Sequence, residues 1–310
     1  MTTLLVQVRD SLARRIADAL PDVEVVPISS EDDLPADVCG EVLLTMAWGS
    51  ANLADVLARG VRWVHALGTG MDRFPFTLLG DRPLTCSRGA SAIPIAEWVL
   101  AMMLAFEKRV PDAWIRDVPT KEQERMKLGS LYGRTLGLVG VGGIGAAVAE
   151  RARPFGMRVL AFRRQSRVAG PGGVEILDSI TDLVASSDHV VIAAPATPET
   201  RGLFDDAVFS AMKPGAHLVN IARGTIIDED ALRRGLDSGR VAMASLDAVD
   251  PEPLPAGHWM YEHPRVRLSP HISWNMPGAA EILVDAFIDN VRRWQRGEPL
   301  DGIVDQTTKY

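Results

Sequence analysis

The sequence predicts an α/β protein of two Rossmann-like domains, a cofactor-binding domain and a discontinuous substrate domain with a cleft between them. Three observations carry that expectation. Short apolar runs alternate with helix-like stretches in two separate series, the pattern of parallel sheets covered by helices on both faces. A buried-strand pattern at Thr135–Val139 runs straight into Gly140-Val141-Gly142-Gly143-Ile144-Gly145 and then into a helix-like stretch. Two long helix candidates, 92–110 and 279–296, lie where the chain would cross between the series.

In chain order, residues 4–8, 23–28, 41–46 and 61–67 are the apolar runs of the first series, and helix-like segments at 12–20 and 51–58 separate most of them. The 92–110 candidate, ended by Pro111, reads as the crossover. The second series comprises the strand at Thr135 and apolar runs at 157–162, 189–194, 216–221, 241–246 and 266–268. After Pro277, the helical stretch 279–296 reads as the return crossover. The expected organisation is therefore a substrate domain of residues 1–96 and 277–310 around a dinucleotide-binding domain of residues 97–276. Gly170-Pro171-Gly172-Gly173 reads as a local turn.

Composition narrows the function classes. A chain of 310 residues, 47% hydrophobic and 24% charged, has the makeup of a globular enzyme. A net charge of −7 and a pI near 5.4 argue against nucleic acid or an anionic membrane as main partner, since both need a concentrated basic surface. Cys39 and Cys86 form no C-x-x-C, so neither a disulfide framework nor a zinc site is expected, and no other metal site is indicated. Residues 1–10 read as a short strand rather than a signal peptide, and the most apolar helix candidate, near 93–106, contains Glu97 and is too short for a bilayer. The expectation is a reduced, cytoplasmic protein.

The order strand, glycines, helix is what a pyrophosphate-binding turn requires. Gly140 permits the tight turn, Gly142 lets the backbone approach phosphate oxygens, and Gly145 lets helix and strand pack closely. The helix N-terminus at Gly143 and Ile144 then offers N–H groups and the positive dipole end to the anion.

Arg223, Glu252 and His271 each follow a strand of the second series. In an open parallel sheet the carboxyl ends of the strands border the ligand crevice, so residues distant in sequence converge there. A cation, a carboxylate and an imidazole are the set needed for hydride transfer to or from a 2-oxo or 2-hydroxy acid: the imidazole exchanges the hydroxyl proton, the carboxylate orients it, and the guanidinium grips the substrate carboxylate and polarises its carbonyl. Taken singly, His271 could close a loop, Glu252 could be a solvated charge, and Arg223 could pair with Asp228 or Glu229.

These residues sit in a set of ordered motifs. Gly133 to Gly140, Thr197-Pro198-Glu199-Thr200-Arg201-Gly202, Met212-Lys213-Pro214-Gly215-Ala216, Asn220 to Gly224 with Asp228-Glu229-Asp230-Ala231-Leu232, Asp250 to Leu254, and Ser269-Pro270-His271 follow one another along the chain. Over nearly its full length the sequence resembles the D-isomer-specific 2-hydroxyacid dehydrogenases. The resemblance implies that Arg223, Glu252 and His271 are the catalytic trio, that Asp247 faces the nicotinamide carboxamide, and that Ala194, Pro195, Ile221 and Ala222 help bind the cofactor. It also implies that the loop Leu67-Gly68-Thr69-Gly70-Met71-Asp72 holds the substrate carboxylate through the N–H groups of Thr69 and Gly70, Gly68 forming the turn, and that the protein is a homodimer joined through the helix near 92–110.

Family members that prefer NAD usually place a carboxylate about 20 residues past the glycines, where it binds the ribose 2′-OH. Here the strand ending at Phe162 is followed by Arg163-Arg164-Gln165-Ser166-Arg167. Guanidiniums suit a 2′-phosphate through charge-assisted hydrogen bonds. The expected cofactor is therefore NADP(H), gripped by Arg163 and Arg164 with help from Ser166 and Arg167, with NAD(H) still possible. Together with Trp274 beside the histidine, as a substrate contact, this resembles the glyoxylate and hydroxypyruvate reductase branch. Met46, Trp48 and Met276 are further candidates for the substrate wall. A dinucleotide-sensing, corepressor-like binding protein remains an alternative, as does a formate- or phosphite-type dehydrogenase.

Overall fold

The computed structural model describes residues 1–163 and 173–309, and its chain divides into two compact units, residues 1–91 with 276–310 and residues 92–275. Each is built on a wholly parallel sheet.

The first unit contains β1 (Thr2–Val6), β2 (Val23–Pro27), β3 (Val42–Met46), β4 (Trp63–Leu67) and β5 (Leu84–Cys86) in the order β2-β1-β3-β4-β5. Crossover helices cover both faces of such a sheet, so it needs apolar side chains on both sides. Alternation along each strand supplies them: Leu4 and Val6 of β1 pack on one face with Leu12 and Ile16 of α1 (Asp10–Ala19), while Leu5 packs on the other with Leu53 and Val56 of α2 (Leu53–Leu57). Val284, Phe287 and Val291 of the C-terminal helix (Ala279–Arg296) complete the first face. Gly297, at φ 67, ends that helix in the left-handed conformation that glycine adopts without Cβ strain.

The second unit opens with α3 (Ala92–Glu107) and the short α4 (Lys121–Glu124). Its strands are β6 (Thr135–Val139), β7 (Arg158–Phe162), β8 (Glu175–Leu177), β9 (His189–Ile192), β10 (Ala216–Asn220), β11 (Val241–Leu246) and β12 (Val266–Leu268), in the order β12-β11-β10-β9-β6-β7-β8. The order reverses between β6 and β9, the switch point at whose carboxyl side open α/β sheets bind ligands. Val191 and Val219 join α3 and α5 (Gly143–Ala152) on one face; Val190, Ile192 and Leu218 join α6 (Ile180–Ser186), α7 (Asp206–Ala211) and α8 (Glu229–Asp237) on the other. The C-terminal helix is α9.

Two details differ from the sequence reading. The crossover helix ends at Glu107 rather than at 110, because Arg109 turns into the left-handed region at φ 52 before Pro111 is reached. The three-residue edge strands β5 and β8 had no signal in the periodicity. Ile95, Val99 and Met103 of α3 pack inside its own unit, while Ile93 is 53% exposed. Among the described residues no helix is long and apolar enough to cross a membrane, and no group of three or more His, Cys, Asp or Glu side chains is arranged to hold a metal.

Candidate active site

The glycine turn is shaped by close backbone approach. β6 runs directly into Gly140 at φ 99, and a Cβ there would press on the main chain of Ala193 and Ala194, just past β9. A Cβ on Gly145 would strike the Gly140 carbonyl, so only glycine lets α5 start this near the strand. Gly142 caps the ten-residue α5 with an extended backbone, Gly143 and Ile144 form its first turn, and Gly142 and Gly143 are exposed. The helix itself supplies no carbonyl for its first N–H groups, which point outward with the positive end of the dipole. These features fit an anionic pyrophosphate.

Gly140 also donates its N–H to the Phe162 carbonyl at 2.9 Å, which ties the turn to the end of β7. Arg163, the next residue, is therefore at the carboxyl edge beside the glycines. Arg164, Ser166 and Arg167 lie outside the described residues. Beyond β9, Ala194 is 9% exposed, and Thr200 Oγ1 donates to the Pro195 carbonyl at 2.8 Å, fixing the loop that faces the switch point.

Arg223, Glu252 and His271 follow β10, β11 and β12, three neighbouring strands. His271 Nδ1 lies 2.8 Å from Glu252 Oε1, with the two side chains 33% and 29% exposed. A carboxylate only accepts, so Nδ1 carries the hydrogen and Nε2 is the outward, exchangeable nitrogen. His271 itself has φ 53, an uncommon conformation for a residue with a Cβ, at a cost of order 1–3 kcal/mol that surrounding contacts must offset. They are visible: Asp247 accepts from Ile272 N at 2.9 Å and Ser273 N at 3.0 Å, and Trp274 Nε1 donates to the His271 carbonyl at 2.9 Å. Arg223 bends over its own loop, its Nη1 donating to the Ala222 carbonyl at 2.7 Å, and Ile221 is 6% exposed beside it.

Asp247 anchors the turn that carries His271. It is 1% exposed, and its carboxylate takes the two N–H groups above plus Ser269 Oγ at 2.6 Å. Three of its acceptor positions thus serve the loop that carries His271. The sequence reading assigned nothing to Ser269 as a donor or to Asn220 as a hydrogen-bonding side chain; the available signal was a polar residue next to the end of an otherwise apolar strand.

The remaining predicted residues belong to the first unit. Gly68, at φ 109, follows β4 and its carbonyl accepts from Ser87 N at 3.0 Å; Thr69 and Gly70 are half-buried at the same carboxyl edge. Beneath them runs a polar chain. Trp63 Nε1 donates to Thr85 Oγ1 at 2.8 Å, Thr85 Oγ1 meets His65 Nδ1 at 2.8 Å, His65 Nε2 meets Ser87 Oγ at 3.2 Å, and Ser87 Oγ donates to the Leu283 carbonyl at 3.0 Å. Burial pushes His65 down to about 3, so its imidazole is neutral and the chain runs in one direction.

Comparison with known proteins decides the family. The model of "D-isomer specific 2-hydroxyacid dehydrogenase, NAD binding domain" matches residues 100–273. The chain belongs to this family. Glyoxylate/hydroxypyruvate reductase A of Serratia proteamaculans is 29% identical over 316 residues, covering 95% of this chain and 94% of that protein. The D-3-phosphoglycerate dehydrogenase of Methanocaldococcus jannaschii is 28% identical over 299 residues, but this chain spans only 57% of its length. Among solved structures, the NADPH-dependent glyoxylate/hydroxypyruvate reductase of Sinorhizobium meliloti, in complex with NADP and sulfate, matches over the whole of both chains with a TM-score of 0.81 at 25% identity. A D-isomer specific 2-hydroxyacid dehydrogenase from Xanthobacter autotrophicus, in complex with NADPH and MES, gives 0.79 at 26% identity over 100% of this chain and 99% of that one. The family is thus a two-domain α/β dehydrogenase family acting with a nicotinamide dinucleotide.

Proposed function

We propose that this member is a reductase of small 2-oxoacids such as glyoxylate or hydroxypyruvate, preferring NADPH. The carrying observation is the His271–Glu252 hydrogen bond of 2.8 Å, made between loops that follow β12 and β11, the latter adjacent to β10, which precedes Arg223. Residues 92–275 would bind the dinucleotide at Gly140 to Gly145, and residues 1–91 with 276–310 would supply the substrate loop at Gly68, Thr69 and Gly70. Bound nicotinamide supplies the hydride that the substrate C2 accepts. His271 holds a proton on Nε2 and delivers it to the carbonyl oxygen as negative charge develops there. Glu252 fixes the Nδ1–H tautomer and stabilises the imidazolium form, and Arg223 clamps the substrate carboxylate. In the reverse direction His271 takes the hydroxyl proton.

The NADPH preference rests on the absence of a carboxylate just after Phe162 and on the arginines there; the Sinorhizobium and Xanthobacter structures contain NADP or NADPH. A panel of 2-oxoacids assayed with NADPH and NADH tests both parts. Changing Arg163 and Arg164 together to alanine is expected to raise the KM for NADPH about tenfold or more while leaving that for NADH nearly unchanged; equal effects on both would defeat the phosphate grip. A cytoplasmic homodimer belongs to the same reading. The contact would run through the helix near 92–110, where Ile93 is 53% exposed; sedimentation reports the assembly.

A further inference from the structure

We propose that Asn220 is the positioning residue that sets Arg223 against the Glu252–His271 pair, an inference that rests on the reductase reading. Asn220 ends β10 and is 0% exposed. Its Nδ2 donates to the Arg223 carbonyl at 3.1 Å and to the Ala248 carbonyl at 3.1 Å, its Oδ1 accepts from Ala222 N at 3.1 Å, and its main-chain carbonyl accepts from Asp247 N at 2.9 Å. One amide therefore spends both donor hydrogens and its acceptor on two different loops. One loop presents Arg223. The other leads from β11 to Glu252 and begins with Asp247, which holds the His271 turn.

A second observation locates the same junction from the opposite side. A Cβ on Gly224 would collide with the main-chain carbonyl carbon of Val249 and nitrogen of Asp250, so the backbones of the two loops touch there. Arg223 thus sits between two fixings, the Asn220 amide before it and the Gly224 contact after it. Downstream the chain is anchored again, since Ile226 is 0% exposed and its carbonyl accepts from Phe204 N at 3.0 Å. The loop dictates where the guanidinium begins, because Arg223 Nη1 folds back onto the Ala222 carbonyl. No other side-chain type offers two donors and one acceptor at this reach: aspartate would set carboxylate oxygens against two carbonyls, and leucine of similar size would leave three main-chain groups unpaired.

A shift of about 1 Å in a substrate-clamping group is enough to cost on the order of 100-fold in rate. The test is Asn220→Asp, with Asn220→Ser and Gly224→Ala as companions that disturb the junction by different chemistry should the first not fold. Each is assayed with glyoxylate and NADPH, with active protein counted by NADPH-binding stoichiometry. The expected result is a rise of about tenfold or more in KM for glyoxylate together with a lower kcat, while KM for NADPH changes much less. If only the count of active protein falls, with both KM values at wild type, or if the two KM values move together, Asn220 is merely structural and the proposal is overturned. Should the wild-type protein reduce no 2-oxoacid at all, the reductase reading fails on that ground. Asn220 is then judged by the crystal structure of Asn220→Asp: an Arg223 Cα displaced by about 1 Å or more relative to Glu252 upholds the positioning role, and coincident loops reject it.

Discussion

His271–Glu252 and His189–Glu107 are the same pair of functional groups, held at 2.8 and 3.1 Å at opposite edges of one sheet. At the carboxyl edge both partners are about one-third exposed, and Nε2 of His271 takes no hydrogen bond among the described residues. At the amino edge the side chains are 0% and 5% exposed, and every ring nitrogen is engaged. His189 Nε2 meets Glu107, His189 Nδ1 meets His217 Nδ1 at 3.2 Å, and His217 Nε2 meets Ser245 Oγ at 3.0 Å. An imidazole can transfer a proton to a ligand only through a nitrogen with nothing better to do. The comparison teaches that a His–Glu hydrogen bond is not in itself a catalytic feature; the fate of the second nitrogen separates acid–base chemistry from fastening.

The sharpest way to break that distinction is to remove each histidine. His271→Ala is expected to lower kcat about 10³-fold with little change in unfolding free energy. His189→Leu is expected to do the reverse: it leaves the Glu107 carboxylate buried with, among the described residues, only Arg134 Nε, 3.5 Å away, and so destabilises by about 3 kcal/mol while turnover per folded molecule is unchanged. Steady-state kinetics and urea titration on the same preparations decide it, and a large kinetic effect at His189 would erase the contrast.

Smaller effects are expected from the carboxylates. Glu252→Gln keeps an acceptor for Nδ1–H but removes the charge that stabilises imidazolium, so kcat should fall about 10- to 100-fold and the pH–rate profile should move. Glu107→Gln should shift only stability, by about 1–3 kcal/mol. If the two substitutions gave matching pH–rate profiles, exposure of the second nitrogen would not be the controlling variable.

Sequence patterning made the carboxyl edge far more legible than the amino edge. The glycine turn, Arg223, Glu252 and His271 stand at strand ends, where a polar or glycine residue breaks an apolar run and is conspicuous. His189 and His217 lie inside such runs, in His-Val-Val-Ile and Ala-His-Leu-Val-Asn, where periodicity reads them as two more buried strand positions. Nothing local says that the two strands are neighbours, or that Glu107, 82 residues before His189, closes the network. The same holds for Asp247: its position was legible, but its partners Ser269, Ile272 and Ser273 are set by the β11–β12 pairing and by the His271 backbone turn. The three-residue edge strands β5 and β8, Leu-Thr-Cys and Glu-Ile-Leu, escaped notice, whereas the equally short β12 was recognised as an apolar run at 266–268.

Two buried histidines, His65 and His217, also make stability depend on pH. Burial holds His65 at about 3, and His217 well below its ordinary 6.5 through burial first and then the neighbouring His189 and Arg267. Both are neutral when folded, whereas in the unfolded chain each takes a proton as pH falls through about 6.5. The unfolded state then binds more protons than the folded one, so the contribution is fully present above about 6.5 and is lost progressively as pH falls toward 3 for His65. Each such group adds a slope of about 1.4 kcal/mol per pH unit at most. Urea midpoints followed from pH ~7 to ~4.5 should therefore decline, and His65→Leu, though less stable at neutral pH because Thr85 and Ser87 lose a partner, should decline less steeply. Parallel curves for the two proteins would mean that His65 is protonated in the fold after all, and the directed chain from Trp63 to Leu283 would have to be redrawn with His65 Nδ1 as a donor.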